Sequence, residues 1–302
     1  MKVFVSGLVN VETNLKIRSF PVAYYPIDYP FFGIKTNVSG VGYNITEAAR
    51  TLGDDVTFVS MIGKDDEAKR IAETLDAHGI SRRLVFDALD TTPISVVLRE
   101  PSDSGRRQIY CDLKDVQEKT VDPSLVEPAM AESDVCVLCN VNFNRALLPV
   151  AKRLGKKVVT DVHVINDVFD PFNRDFMKSA DILFLSDEDL PSSPEEFIAA
   201  LKNEYSAEVM AIGLGADGVC MYERATDKTT RIPAAALGGV VNTVGAGDAL
   251  FTAFVHYYGK YGAAEAMKRA EVFAALKIRA DGGSLGFSTE EQVEEEYAAH
   301  GF

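Results

Sequence analysis

The segment Asn242-Thr243-Val244-Gly245-Ala246-Gly247-Asp248 brings together residue types suited to chemistry on an anion. Gly245 and Gly247 allow positive φ angles and a close approach of the main chain. The run ALFTAFVHYY that follows reads as a helix, and the first N–H groups of a helix have no internal partner. A turn feeding such a helix is an anion site. A carboxylate there, Asp248, is a poor anion ligand but an apt general base beside a group held by main-chain donors. Taken alone, Asp248 serves equally well as a helix cap.

A second cluster is Gly40-Val41-Gly42-Tyr43-Asn44-Ile45-Thr46, followed by Gly53 and Gly63. Its glycines permit close backbone approach to a hydroxylated ligand, and Asn44 both donates and accepts, which suits a vicinal diol. The other reading is a turn shaped by glycines before a helix over 43–53.

Three further patterns invite chemistry. Gly213-Leu-Gly215-Ala-Asp-Gly218 satisfies G-x-G-x-x-G, but a dinucleotide fingerprint needs a helix next, and VCMYE and TTRIP read as a β-hairpin. Cys136-Val-Leu-Cys139 has the spacing of half a metal or redox site, yet it lies in an apolar strand-like run, where positions three apart face opposite sides. Of the histidines, His256 sits inside a helix and is expected to pack. His163 ends a strand and faces the cleft side.

These groups need a scaffold, and the alternation of apolar and amphipathic segments supplies one. KVFVSGLVN, VTFVSMIG, DVCVLCN, KKVVTDV, ADILFLS and EVMAIGL read as strands, with helical segments such as YNITEAARTL, AKRIAETLDAHG and RALLPVAKRLG between them. That alternation predicts an α/β doubly wound, mainly parallel sheet with helices on both faces. Residues 11–38 and 83–111 break the rhythm with short strand-like pieces and are expected to form a small second sheet. The tail from Ala246 to Tyr297 reads as mostly helical. A single domain over 1–302 is expected, without repeats.

Composition narrows the partners. A formal charge of -14 over 302 residues argues against nucleic acid, which is bound through clustered Lys and Arg. A polyphosphate ligand would need local main-chain donors or a divalent metal for its attraction. No run is long enough for a membrane span, no signal peptide is read at the start, and the cysteines read as core residues, so the expected setting is the cytoplasm.

The turn and Asp248 resemble the D-T-x-G-A-G-D signature of the ribokinase-like (PfkB) carbohydrate kinases, matched everywhere except at Asn242. The Gly40 cluster is similar to that family's G-G-x-G-x-N motif, with Ser39 in place of the first Gly. The resemblance implies ATP-dependent phosphoryl transfer to a hydroxymethyl group of a sugar or nucleoside, with Mg2+ on the phosphates. It implies that Asp248 is the base and that Gly245, Ala246 and Gly247 form the anion hole. Asn10, Glu12, Gly40, Gly42 and Asn44 would hold the acceptor, Glu12 replacing a family Asp. Ser186, Asp189, Gly213, Gly215, Gly218, Thr243 and Gly283 would line the nucleotide. Ser186 and Asp189 fall where the family carries N-x-x-E, a motif that reaches magnesium through water. Asp281-Gly282-Gly283-Ser284 resembles a loop that covers the adenine and in some members holds a monovalent cation, a role that Asn242 puts in question. The second sheet would act as a lid and as a homodimer seam. Its stretch Tyr24-Tyr25-Pro-Ile-Asp28-Tyr29-Pro-Phe31-Phe32 suits either that seam or stacking on a nucleobase. The departures at Asn242, Ser186 and Asp189 leave a rival reading, a non-catalytic sugar or nucleotide sensor on the same fold.

Overall fold

The computed structural model describes residues 1–100 and 106–300. The chain leaves β1 (Lys2–Ser6) for β2 (Asn10–Lys16) and β3 (Ile34–Ser39). It returns through α1 (Val41–Thr51) to β4 (Asp55–Ile62), α2 (Asp66–Ala77) and β5 (Val85–Asp87). A second excursion makes β6 (Ile94–Arg99) and β7 (Arg107–Asp112). Helices and strands then alternate through α3 (Pro123–Glu132), β8 (Val135–Leu138), α4 (Leu148–Arg153), β9 (Lys157–Val164), α5 (Arg174–Ser179), β10 (Ile182–Ser186), α6 (Pro194–Glu204) and β11 (Val209–Gly213). A hairpin of β12 (Val219–Glu223) and β13 (Lys228–Ile232) precedes the closing helices α7 (Ala246–Tyr261), α8 (Ala263–Lys277) and α9 (Glu290–His300).

The main sheet runs β13-β12-β11-β10-β9-β8-β1-β4-β5, parallel except for the hairpin. The chain builds outward from β1 first on one side and then, from β8, on the other. This order reverses between β1 and β8, the kind of switch point where open α/β sheets form a crevice at the carboxyl ends of their strands. Alternation along the strands divides the core in two. Val3 and Val5 pack on the face covered by α1, α7 and α8, whereas Phe4 packs on the face of α3 to α6. Cys136 and Cys139 fall into these opposite cores, both buried, as their spacing predicts.

The expected second sheet is present, in the order β3-β2-β6-β7. It is mixed, because β2 and β6 run parallel while both outer pairs are antiparallel. Its limits differ from the expected 11–38 and 83–111. Val85–Asp87 pairs with β4 in the main sheet, so the second excursion begins at Ile94. Residues 101–105 of the expected segment lie outside the described residues. Among the described residues no helix is long and apolar enough to cross a membrane.

Candidate active site

The two glycine motifs meet at the switch point. Gly42 lies so close to the β1–β2 connection that an added Cβ would stand 2.5 Å from the Gly7 carbonyl carbon. The N–H groups of Gly42 and Tyr43 both donate to the Leu8 carbonyl, at 3.0 and 3.2 Å. Those bonds pin the start of α1 to the β1–β2 connection. One turn into α1, the Asn44 Nδ2 donates to Asp248 Oδ2 at 2.7 Å, across 204 residues of sequence.

Asp248 is set by the turn before α7. Gly245 has φ 79°, and a Cβ there would meet the Gly283 carbonyl oxygen at 2.4 Å, so at this point the turn and the 281–284 loop touch main chain to main chain. The Ala246 N–H donates to the Thr243 carbonyl at 3.1 Å, so an anion hole here relies on the amides beside it. Burial raises the Asp248 pKa, while the Asn44 bond and nearby His163 lower it and Asp161 raises it. His163, with φ 59°, and Asp161 therefore lie near this carboxylate.

Asn242 works through its amide. Its Oδ1 accepts from the Val244 N–H at 2.9 Å, and its Nδ2 donates to Asp281 Oδ1 at 3.2 Å. An Asp at this place would set two carboxylates against each other. Asp281 also pairs with Lys35 of β3 at 2.7 Å and Arg99 of β6 at 2.8 Å, which ties the loop to the small sheet.

Beside Asp248 lies a buried polar patch from the small sheet. Glu12 accepts from Asn14 Nδ2 at 2.9 Å, and Ser39 Oγ lies within 3.4 Å of both Glu12 and Asn44. Burial raises the Glu12 pKa, opposed by the Asn14 and Ser39 bonds and reinforced by Asp248. Asn10 donates to Ser95 Oγ at 3.1 Å. The Oδ1 atoms of Asn10 and Asn14 are buried with no protein partner. Buried amide oxygens are costly to leave unpaired, so the patch fits a ligand that brings hydroxyl donors. Gly283 leans over it, its notional Cβ 2.9 Å from Ser39 Oγ.

The residues nominated for a nucleotide line the neighbouring strand ends. Ser186 ends β10 beside Gly213 of β11, and the Gly213 carbonyl accepts from the Asp187 N–H at 3.0 Å. Gly215 opens a short 3₁₀ turn and Gly218 leads into β12, so the G-x-G-x-x-G segment enters a hairpin and not a helix. Asp189, at φ 70°, accepts from Asn166 Nδ2 at 3.0 Å. Its neighbour Glu188 reaches Arg107 at 3.4 Å, and Arg107 also donates to Thr243 Oγ1 at 3.5 Å.

Arg99 and Arg107 were missed by sequence reasoning. With Arg106, Asn242 and Thr243 they line one concavity between the small sheet and the anion turn. The pair Arg106-Arg107 in so acidic a chain was the available signal. His256, by contrast, is buried against Asp54 at 2.8 Å and is structural.

The Asp248 carboxylate thus stands at a glycine turn that opens a helix, in a region that also holds arginines and a buried polar patch. The chain matches the pfkB family carbohydrate kinase over residues 3–290 and belongs to that family. Deoxyribokinase from Salmonella typhi is 24% identical, the match covering 98% of each chain. Microbiome-derived acarbose kinase Mak1 has a TM-score of 0.87 at 25% identity, covering 98% of each chain. Arabidopsis thaliana ribokinase, solved with ribose and ATP, superposes with a TM-score of 0.77 at 20% identity, again over 98% of each chain.

Proposed function

We propose that this chain transfers the γ-phosphate of ATP to a hydroxymethyl group of a sugar or nucleoside, within a single domain that carries the small sheet as a lid. The observation that supports the reading is the Asn44–Asp248 bond, which joins the two glycine motifs at one carboxylate. The acceptor hydroxyl gives its proton to Asp248 as its oxygen bonds to the γ-phosphorus, and the bond from that phosphorus to the bridging oxygen breaks to release ADP. The Gly245 and Gly247 amides beside Ala246 stabilise the transferring group, and Arg107 adds positive charge at Thr243. Glu12, Asn10 and Asn44 hold acceptor hydroxyls, while Gly40 and Gly42 let α1 come close enough for Asn44 to do so.

A magnesium ion would arrive on the ATP phosphates and keep its waters, with Asp189, whose carboxylate accepts from Asn166 Nδ2, as a ligand through water. When bound, the ion neutralises phosphate charge. Four free thiols, those of Cys136, Cys139 and Cys220 buried and that of Cys111 exposed, favour a cytoplasmic setting.

The direct test is ATP consumption against a panel of sugars and nucleosides. At least one acceptor is expected to give turnover well above the rate with water alone. ATP binding without turnover on any acceptor would favour the sensor.

The pH dependence follows from Asp248. Its working form is the carboxylate, so kcat/KM is expected to fall as pH drops through its raised pKa, above the usual carboxylate range. Asn44→Ala removes an interaction that lowers this pKa, so the acid limb should move to still higher pH. A limb in the ordinary carboxylate range for both proteins would remove Asp248 from the rate.

The lid reading rests on the small sheet and its Asp281 pairs with Lys35 and Arg99. Strands β2, β3 and β6 are expected to gain protection from hydrogen exchange when acceptor and nucleotide are bound together. Protection unchanged by both ligands would count against closure. The stretch before β3 exposes Tyr24, Phe31 and Phe32, the last at 98%, and it is offered as the seam of a homodimer. Sedimentation of a monomer at micromolar concentration would remove that seam.

A further inference from the structure

Lys277 is the last residue of α8 and its side chain is completely buried, although nothing in the proposed reaction uses it. Its ammonium donates to two main-chain carbonyls, that of Val244 in the anion turn and that of Gly282, the latter at 2.9 Å. These carbonyls belong to the two segments that touch at Gly245 and Gly283. A buried ammonium is costly unless paired, and here two carbonyl oxygens accept from it. Glu12 of β2, Asp248 of α7 and Asp281 of the loop favour its charge, and Arg107 of β7 opposes it. Burial lowers its pKa to about 8, which leaves it mostly protonated at neutral pH.

A free monovalent cation does not fit between these segments. An ion bound by the Val244 and Gly282 carbonyls would have to displace the Lys277 ammonium, and Asn242 offers it no carboxylate. We propose that Lys277 is a built-in cation: its ammonium takes the place of a bound monovalent ion and holds the Gly245 turn against the 281–284 loop, so the site needs no such ion from solution. Lys277 is thus a positioning residue for the transfer reaction. The idea rests on the kinase reading for its effect on rate, but not for its effect on ion binding.

The test compares the full-length protein with Lys277→Met in tetramethylammonium, sodium, potassium and ammonium chloride at matched ionic strength. Turnover and thermal midpoint are both recorded. The unaltered protein is expected to respond to none of these ions specifically. Lys277→Met is expected to lose about 10²-fold in kcat in tetramethylammonium and to regain much of it, saturably, in potassium or ammonium. Its thermal midpoint should rise with potassium while that of the unaltered protein stays put, a readout that holds even if the chain proves not to be a kinase. Strong saturable activation or stabilisation of the unaltered protein by potassium would overturn the proposal. So would a Lys277→Met protein that is fully active without ions, or one that is impaired and insensitive to all of them. Should that variant not fold, Asn242→Asp with Lys277→Met rebuilds a carboxylate site, and potassium-dependent folding of the pair is expected. Failure of potassium to affect the pair would also overturn it.

Discussion

Asp248→Asn is expected to lower kcat by about 10²–10⁴-fold while leaving ATP affinity nearly unchanged, the range for removing a positioned general base. The substitution preserves shape, and the new amide can turn its oxygen toward the Asn44 Nδ2 that now donates at 2.7 Å. What it cannot do is take a proton from the acceptor. Nucleotide affinity, measured by calorimetry, and an intact thermal transition separate loss of chemistry from loss of fold. Near-normal turnover in a folded variant would remove Asp248 from the base role.

Gly42→Ala is expected to damage the site through a single methyl group. The new Cβ would stand 2.5 to 2.8 Å from the Cα, carbonyl carbon and oxygen of Gly7, all of them main-chain atoms that no rotamer change can move aside. Helix α1 must then shift and carry Asn44 away from Asp248. A displacement near 1 Å costs about 10²-fold in rate, and overpacking of this kind costs about 1–3 kcal/mol in stability. Gly259→Ala is the matched control, because Gly259 lies inside α7 with nothing within 4 Å of its notional Cβ. There the change should stabilise the protein by about 0.5–1 kcal/mol and leave kcat/KM alone. Equal activity of the two variants would show that the Gly7–Gly42 contact does not set the base.

Much of this protein was legible in its residues because the signals are local. The period of two in the strands and of 3.6 in the helices follows from backbone geometry, so the alternating segments predicted the doubly wound sheet and the division of Cys136 and Cys139 between two cores. The turn before α7 and the hairpin after Gly218 were readable for the same reason, since each depends on a few consecutive residues. The small sheet was readable in its strands but not in its edges: Val85–Asp87 joined the main sheet through a pairing with β4 that no local pattern marks.

Tertiary structure alone decided which groups meet. Asn44 and Asp248 are 204 residues apart, and only the packing of α1 against α7 makes their bond. Lys277 at a helix end reads as a solvated charge, because lysine side chains are almost never buried without a partner. Its partners are main-chain carbonyls, which every residue has and no sequence pattern advertises. The same holds for Asp281, whose ties to Lys35, Arg99 and Asn242 join three separate stretches of chain. Residue type sets what a side chain can do, but the free energy of a charge depends on the atoms the fold places around it.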